Sequence, residues 1–128
     1  MHESEERFLT DDSLSLRSPA FAALPRVERA NLLVKDGDEL PFAGGAVRVL
    51  HTPGHTRGSV CYQLGDTLFA GDTLFRESVG RTDLPTGNTP QLLSSVRRLA
   101  ALEGDFRVLP GHGSETTLSH ERKYNPYL

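Results

Sequence analysis

Of the 128 residues one is cysteine, one is methionine and none is tryptophan. With Cys61 as the sole thiol, an internal disulfide framework is excluded and a reducing, cytoplasmic setting is expected. No apolar run approaches the roughly 20 residues needed to cross a bilayer, and the opening MHESEERF is too charged for a secretory signal. An excess of positive charge is also missing: 14 Lys and Arg stand against 17 Asp and Glu, a net charge of −3. A nucleic-acid partner needs a concentrated basic surface and is not expected. An anionic small molecule is not excluded, since one or two well-placed arginines suffice for it. Hydrophobic residues at 37% and charged residues at 24% permit a packed core, and the length fits one small domain.

Residues 1–30 read as irregular, broken by Pro19 and Pro25 around Phe21 and Leu24, with one helical turn over residues 5–9. Strands are expected from there on. Residues 32–34 lead into the turn Asp36-Gly37-Asp38. Residues 46–50 alternate, with Val47 and Val49 on one side and Arg48 on the other. Residues 59–64 and 67–70 are joined by Gly65-Asp66, a two-residue hairpin signature, and residues 107–109 stop at Pro110-Gly111. One helix is well marked. Thr89 is its expected cap and Pro90 its first residue, Gly104 its expected stop, and Leu92, Leu93, Val96, Leu99, Ala100 and Leu102 form its apolar stripe. A shorter helix is expected over residues 115–123. Strands interspersed with helices define the class as α/β.

Three of these strands run into a tight glycine turn beside a residue able to bind metal. Leu50 is followed by His51-Thr52-Pro53-Gly54-His55-Thr56, Ala70 by Gly71-Asp72-Thr73, and Leu109 by Pro110-Gly111-His112-Gly113. Ligands in layered α/β folds sit at the carboxyl ends of strands, where a rigid scaffold presents short loops. Two imidazoles and a carboxylate suit zinc, iron or manganese. Taken singly, each of the three is an ordinary polar loop residue; their joint occurrence carries the signal. Cys61, between Val60 and Tyr62 in a strand, is expected to be a buried, inert thiol.

The segments TPGHTRGSVCY, GDTLF and LPGHG resemble the third, fourth and fifth ligand motifs of the metallo-β-lactamase fold superfamily of metallohydrolases. ESVGRTDLPTGN and ETTLSHERKYNPYL resemble its small glyoxalase II-like branch, the hydroxyacylglutathione hydrolases. The resemblance covers residues 36–128, and more loosely the chain from residue 2. It implies an αββα sandwich, two zinc ions with iron or manganese as alternatives, and hydrolysis of a small-molecule thioester. His55 would hold the first metal, Asp72 would bridge both, and His112 would hold the second. Gly80, Arg81 and Asp83 would lie in the loop beside them. No side chain is implied as a catalytic base. Arg76, Arg81 and Lys123, with Arg122, are the candidates for an acidic thiol carrier such as glutathione; for Arg122 and Lys123 plain surface charge is an equal reading. The extra carboxyl-terminal helical domain of the longer glyoxalase II enzymes has no counterpart, so glutathione itself is not implied.

One departure matters more. The superfamily's main motif, His-x-His-x-Asp-His, is missing: the histidines stand at 2, 51, 55, 112 and 120, and no two are separated by a single residue. Residues 1–128 are therefore expected to form the carboxyl-terminal half of the sandwich, a partial domain with three of the family's seven ligands and little activity alone. A sheet face and a strand edge left without partners favour a complementary amino-terminal half or a second copy. Two other readings stand beside this one. The chain is a truncated or split-subunit fragment that catalyses nothing, or it is an iron enzyme like the persulfide dioxygenases, which share a Gly-Arg-Thr-Asp loop. Leu84 and Gly113-Ser114 favour the hydrolase over the dioxygenase. A mononuclear site would need His2, His51 or His120 as substitutes, and His51 is expected to point away.

Overall fold

The two-residue link Gly65-Asp66 closes a hairpin between β3 (Val60–Leu64) and β4 (Thr67–Gly71), with Gly65 at φ +58 as such turns require. The computed structural model describes residues 1–17, 20 and 25–128; the expected break at Pro19 and the apolar pair Phe21 and Leu24 lie outside the described residues. Before that hairpin come β1 (Glu39–Phe42) and β2 (Gly45–His51), joined through Ala43 and Gly44, both at positive φ. β1 was not expected from its composition, because Pro41 argues against a strand. It lies at the edge of the sheet, where a missing N–H is tolerated.

After β4 a small ribbon, β5 (Leu74–Phe75) with β6 (Ser78–Val79), precedes α2 (Thr89–Ala100). Then follow β7 (Arg107–Pro110), β8 (Thr116–Thr117) and α3 (Leu118–Tyr124). The main sheet has six strands in the order β1-β2-β3-β4-β7-β8. Every neighbour is antiparallel except β4 with β7, which run parallel with Leu68 opposite Val108. At the amino end a 3-10 helix (Glu3–Leu9) covers the expected turn, and α1 (Asp12–Ser15) is a single turn capped by Asp11.

Several boundaries differ from expectation for identifiable reasons. Asn88, not Thr89, caps α2: its side chain accepts the Gln91 N–H at 3.0 Å. α2 ends at Ala100, before Gly104. The last helix starts at Leu118 because Thr116 and Thr117 pair with Val108 and Arg107. The strand over 32–34 reduces to one parallel bridge between His2 and Val34.

α2 and α3 cover one face of the sheet. Leu50, Cys61, Leu68, Ala70 and Val108 from the strands pack with Leu92, Val96 and Leu99 of α2 and with Leu118 of α3. The opposite face carries the in-register row Val49, Tyr62, Phe69 and Leu109. Burial varies along it: Val49 is fully buried while Phe69 is 42% exposed. With Val49 and Leu50 both buried, β2 is covered on both faces where it nears the donors, so the simple alternation read from Val47, Arg48 and Val49 ends there. No helix among the described residues is long and apolar enough to cross a membrane.

Candidate metal centre at the strand ends

The turn after β2 is fixed to α2 before it delivers His55. The Ser95 hydroxyl donates to the Pro53 carbonyl at 2.8 Å, and the Asn88 N–H donates to the Gly54 carbonyl at 2.8 Å. Gly54, at φ +142, lies so close to α2 that a methyl group would overlap the backbone of Leu92. On the other side Glu5 accepts from the Thr56 hydroxyl and from the Gly58 N–H. Asp72 follows β4 directly, and the buried hydroxyls of Thr52 and Thr73, 3.0 Å apart, tie its turn to that of His55. His112 arrives from β7, where the Gly111 N–H donates to the Gly71 carbonyl at 2.8 Å.

These turns bring the three sequence-predicted donors together around one carboxylate. His55 Nε2 lies 3.5 Å from Asp72 Oδ2, and His112 Nε2 lies 3.1 Å from Asp72 Oδ1. His55 Nδ1 is 2.8 Å from the carbonyl oxygen of Arg81, which can only accept. Neutral His55 therefore carries its proton on Nδ1 and turns the bare lone pair of Nε2 towards a carboxylate. Two acceptors aimed at each other mark a place for a cation, and a backbone carbonyl fixing the ligand tautomer is a common second layer in metal sites. Asp72 Oδ1 is buried and has no hydrogen-bond partner, so the nearby His112 does not satisfy it. A buried carboxylate oxygen left in this state carries a desolvation cost that a metal would remove.

The donor set fits a metal only in part. Each imidazole faces its own oxygen of Asp72, and among the described residues no group of three or more His, Cys, Asp or Glu side chains meets as a single site. A catalytic zinc keeps three protein ligands and a water. This chain offers two donors to each of two positions, with Asp72 counted in both. A cavity of about 190 Å³ opens beside them, lined by His55, Asp72, Phe75, Gly80, Arg81 and His112.

The remaining sequence candidates are placed differently. Arg81 lines the cavity through the backbone that holds His55, while its guanidinium forms a two-point pair with Asp83, N···O 2.6 Å. That hydrogen-bonded pair pulls the exposed Asp83 carboxyl down to about 2. Arg76 lies 4.0 Å from Glu77, and Lys123 lies 4.9 Å from the ring of Tyr124; neither lines the cavity. Arg122 donates to the carbonyls of Ala100, Leu102 and Gly104 and so closes the end of α2. His51 stacks on His2 at 4.0 Å between centroids and donates Nε2–H to the Arg57 carbonyl. Burial and the His51 ring hold the His2 imidazole below its ordinary value. His120 is 2.9 Å from Glu77. His51 and His120 are therefore engaged elsewhere, whereas His2 lines a second cavity, of about 370 Å³, together with His55 and Asp72. Sequence reasoning did not single out Phe75, which closes the GDTLF segment and stacks on His112 at 5.9 Å between centroids, or Glu5, which lies in no recognisable pattern.

An α/β sheet that brings two imidazoles and a carboxylate together at its strand ends offers donor types suited to a metal ion. The chain belongs to the metallo-beta-lactamase superfamily, whose family model matches residues 1–112. The superfamily is one of metal-dependent hydrolases. Among curated relatives, the probable metallo-hydrolase YqgX of Bacillus subtilis is 38% identical over all of this chain and 62% of its own length. Hydroxyacylglutathione hydrolase GloC of Haemophilus influenzae is 39% identical over 73% of this chain and 46% of its own. Among solved structures, the BLEG-1 B3 metallo-beta-lactamase aligns over 100% of this chain and 63% of its own, with 35% identity and a TM-score of 0.87. TTHA1623, in a di-iron-bound form, aligns over 81% and 52% with 40% identity and a TM-score of 0.71. The chain thus spans less than two thirds of the length of each of these relatives.

Proposed function

We propose that residues 1–128 carry one side of the metal centre of a thioester hydrolase, with zinc held by His55, Asp72 and His112. The observation that carries this is the unpartnered Asp72 Oδ1 between two imidazoles, one of them locked in the metal-binding tautomer. The chemistry supplied at such a centre is polarisation of a carbonyl and a water made nucleophilic near neutral pH. This chain's part is to hold the donors still. Arg81 fixes His55 through its carbonyl, and Phe75 gives the cavity an apolar wall for an acyl group. The small cavity suits a small-molecule thioester, and the named activity of the Haemophilus relative supports that class. The di-iron form of TTHA1623 supports iron as the alternative metal.

Completion of the centre is part of the proposal. Two donors per metal position fall short of three, so further ligands come from a complementary amino-terminal polypeptide or from a second copy. The test is metal content on a size-exclusion peak of known mass, with a glutathione thioester assay on the same fractions. The expected result is fewer than one zinc per chain and turnover near background. Adding a polypeptide with the missing histidines should raise both. Two metals per chain with rapid turnover would overturn the incompleteness. A completed complex without metal would overturn the metal reading, and iron with oxygen uptake on a persulfide would replace hydrolysis by oxygenation.

A further inference from the structure

α3 carries a buried carboxylate that the metal reading does not use. Glu121 is fully buried, and a buried carboxylate persists only where donors meet it. Three do so. The Thr116 hydroxyl donates to Oε1 at 2.6 Å, while the Glu77 backbone N–H and the Asn125 side-chain amide donate to Oε2, each at 2.8 Å. Asn125, itself buried, also donates to the Ser78 carbonyl at 3.0 Å. α3 therefore grips the tip of the β5–β6 ribbon at two consecutive backbone points.

That ribbon is anchored at its base, where Leu74 is fully buried in the core and Val79 packs against it, but its tip needs other contacts. β5 and β6 have two residues each and form a separate two-stranded sheet, an arrangement that is marginal by itself in water. Glu77 at its tip has φ +54, a conformation uncommon for a residue with a side chain. Yet the ribbon reaches all three donors. Asp72 stands just before β5, Phe75 of β5 stacks on His112, and the chain leaving β6 supplies the Arg81 carbonyl that fixes His55.

We propose that Glu121 and Asn125 are positioning residues for the metal donors, acting through the β5–β6 ribbon without touching metal or substrate. The proposal rests on the reading of His55, Asp72 and His112 as donors and adds the element that sets their geometry. It turns on hydrogen-bond acceptance, not on charge. In Glu121→Gln the side-chain carbonyl still accepts from Glu77 and Asn125, and the amide donates to a Thr116 hydroxyl that rotates to accept. Glu121→Leu removes all three bonds at similar volume.

The experiment uses the metal-free full chain. Nitrogen-15 NMR above the imidazole titration range reads the His55 tautomer, and amide exchange reads the Glu77 N–H against amides of α2. The wild-type chain and Glu121→Gln are expected to keep the Nδ1–H tautomer. Glu121→Leu is expected to give a tautomer mixture, with Glu77 exchanging about tenfold faster or more, the scale of lost bonds to a charged acceptor. A Glu121→Leu chain with unchanged tautomer and protection overturns the proposal, as does a Glu121→Gln chain disturbed equally. If Glu121→Leu does not fold, Asn125→Ala should shift both readings in the same direction, and no shift overturns the proposal. Both readouts are taken without metal. Failure of the chain completed by a polypeptide with the missing histidines to take zinc would count against the metal reading alone.

Discussion

Gly80 follows β6 and packs on the backbone of Asp72, so Gly80→Ala is the sharpest perturbation of the donor geometry. A methyl group there would overlap the Asp72 carbonyl oxygen and lie 3.0 Å from its carbon, with the His55 Cβ at 3.6 Å. The first two are backbone atoms that cannot rotate aside. At Gly45, by contrast, a methyl would meet only the Phe42 carbonyl oxygen, at 3.7 Å. Neither glycine has a positive φ, so both substitutions stiffen the unfolded chain alike, by about 0.4–1 kcal/mol in favour of alanine. Overpacking at Gly80 costs about 1–3 kcal/mol. Displacing residues 80–81 also puts at risk the Gly80 N–H bond to Thr73 and the His55 bond to Arg81, about 1 kcal/mol each. The net expectation is a loss of about 2–4 kcal/mol for Gly80→Ala and a change within about 0.5 kcal/mol, or a small gain, for Gly45→Ala. With urea slopes of about 1–3 kcal/mol per molar, the midpoints should differ by about 0.7–4 M. Equal midpoints would refute the reasoning, because the difference between the two variants isolates the folded-state overlap.

Three further outcomes are expected. Asp72→Asn removes charge from a buried oxygen without a partner, so the metal-free chain should be no less stable, and up to about 1–3 kcal/mol more stable, in urea unfolding. The same variant should lose zinc affinity in chelator competition, and a destabilised metal-free variant would show that the oxygen is satisfied. Arg122→Ala should cost about 1–3 kcal/mol by freeing the carbonyls at the end of α2, and should leave zinc affinity unchanged; altered affinity would contradict the structural role. Burial pushes the Cys61 thiol up to about 11 from an ordinary 9.0. The folded state therefore favours the neutral thiol: its contribution to stability is complete below pH 9.0 and is lost as pH rises through about 11. Thiol reagents should react about a thousandfold or more slowly with the native chain than in urea, and comparable rates would rule out the buried placement.

The three donor turns were legible because strand, glycine and donor are covalent neighbours, and the β3–β4 hairpin because two residues encode it. α2 was legible from its stripe, although its cap lay one residue earlier, at Asn88. β1 was hidden by Pro41, which its edge position makes harmless. β8 was hidden because two threonines pair only once β7 is beside them. Glu5 and Glu121 sit in helical stretches that look like surface, and nothing local marks one as a clamp on the His55 loop and the other as a buried acceptor. Arg81 was chosen for its guanidinium, whereas its carbonyl makes the contact with His55.

The sequence by itself determined which groups stand at the strand ends, His55, Asp72 and His112, and which ones are missing, since the motif with paired histidines is absent from residues 1–128. It also determined the family, because those turns are contiguous words of chain. Only the tertiary structure decided that Asp72 would lie between the two imidazoles, with one buried oxygen unpartnered. The parallel pairing of β4 with β7 sets that meeting, the Arg81 carbonyl sets the tautomer of His55, and α3 holds the ribbon that carries Arg81. Each of these contacts joins residues far apart in sequence, and a hydrogen bond is fixed by position in space, which no local pattern of side chains records.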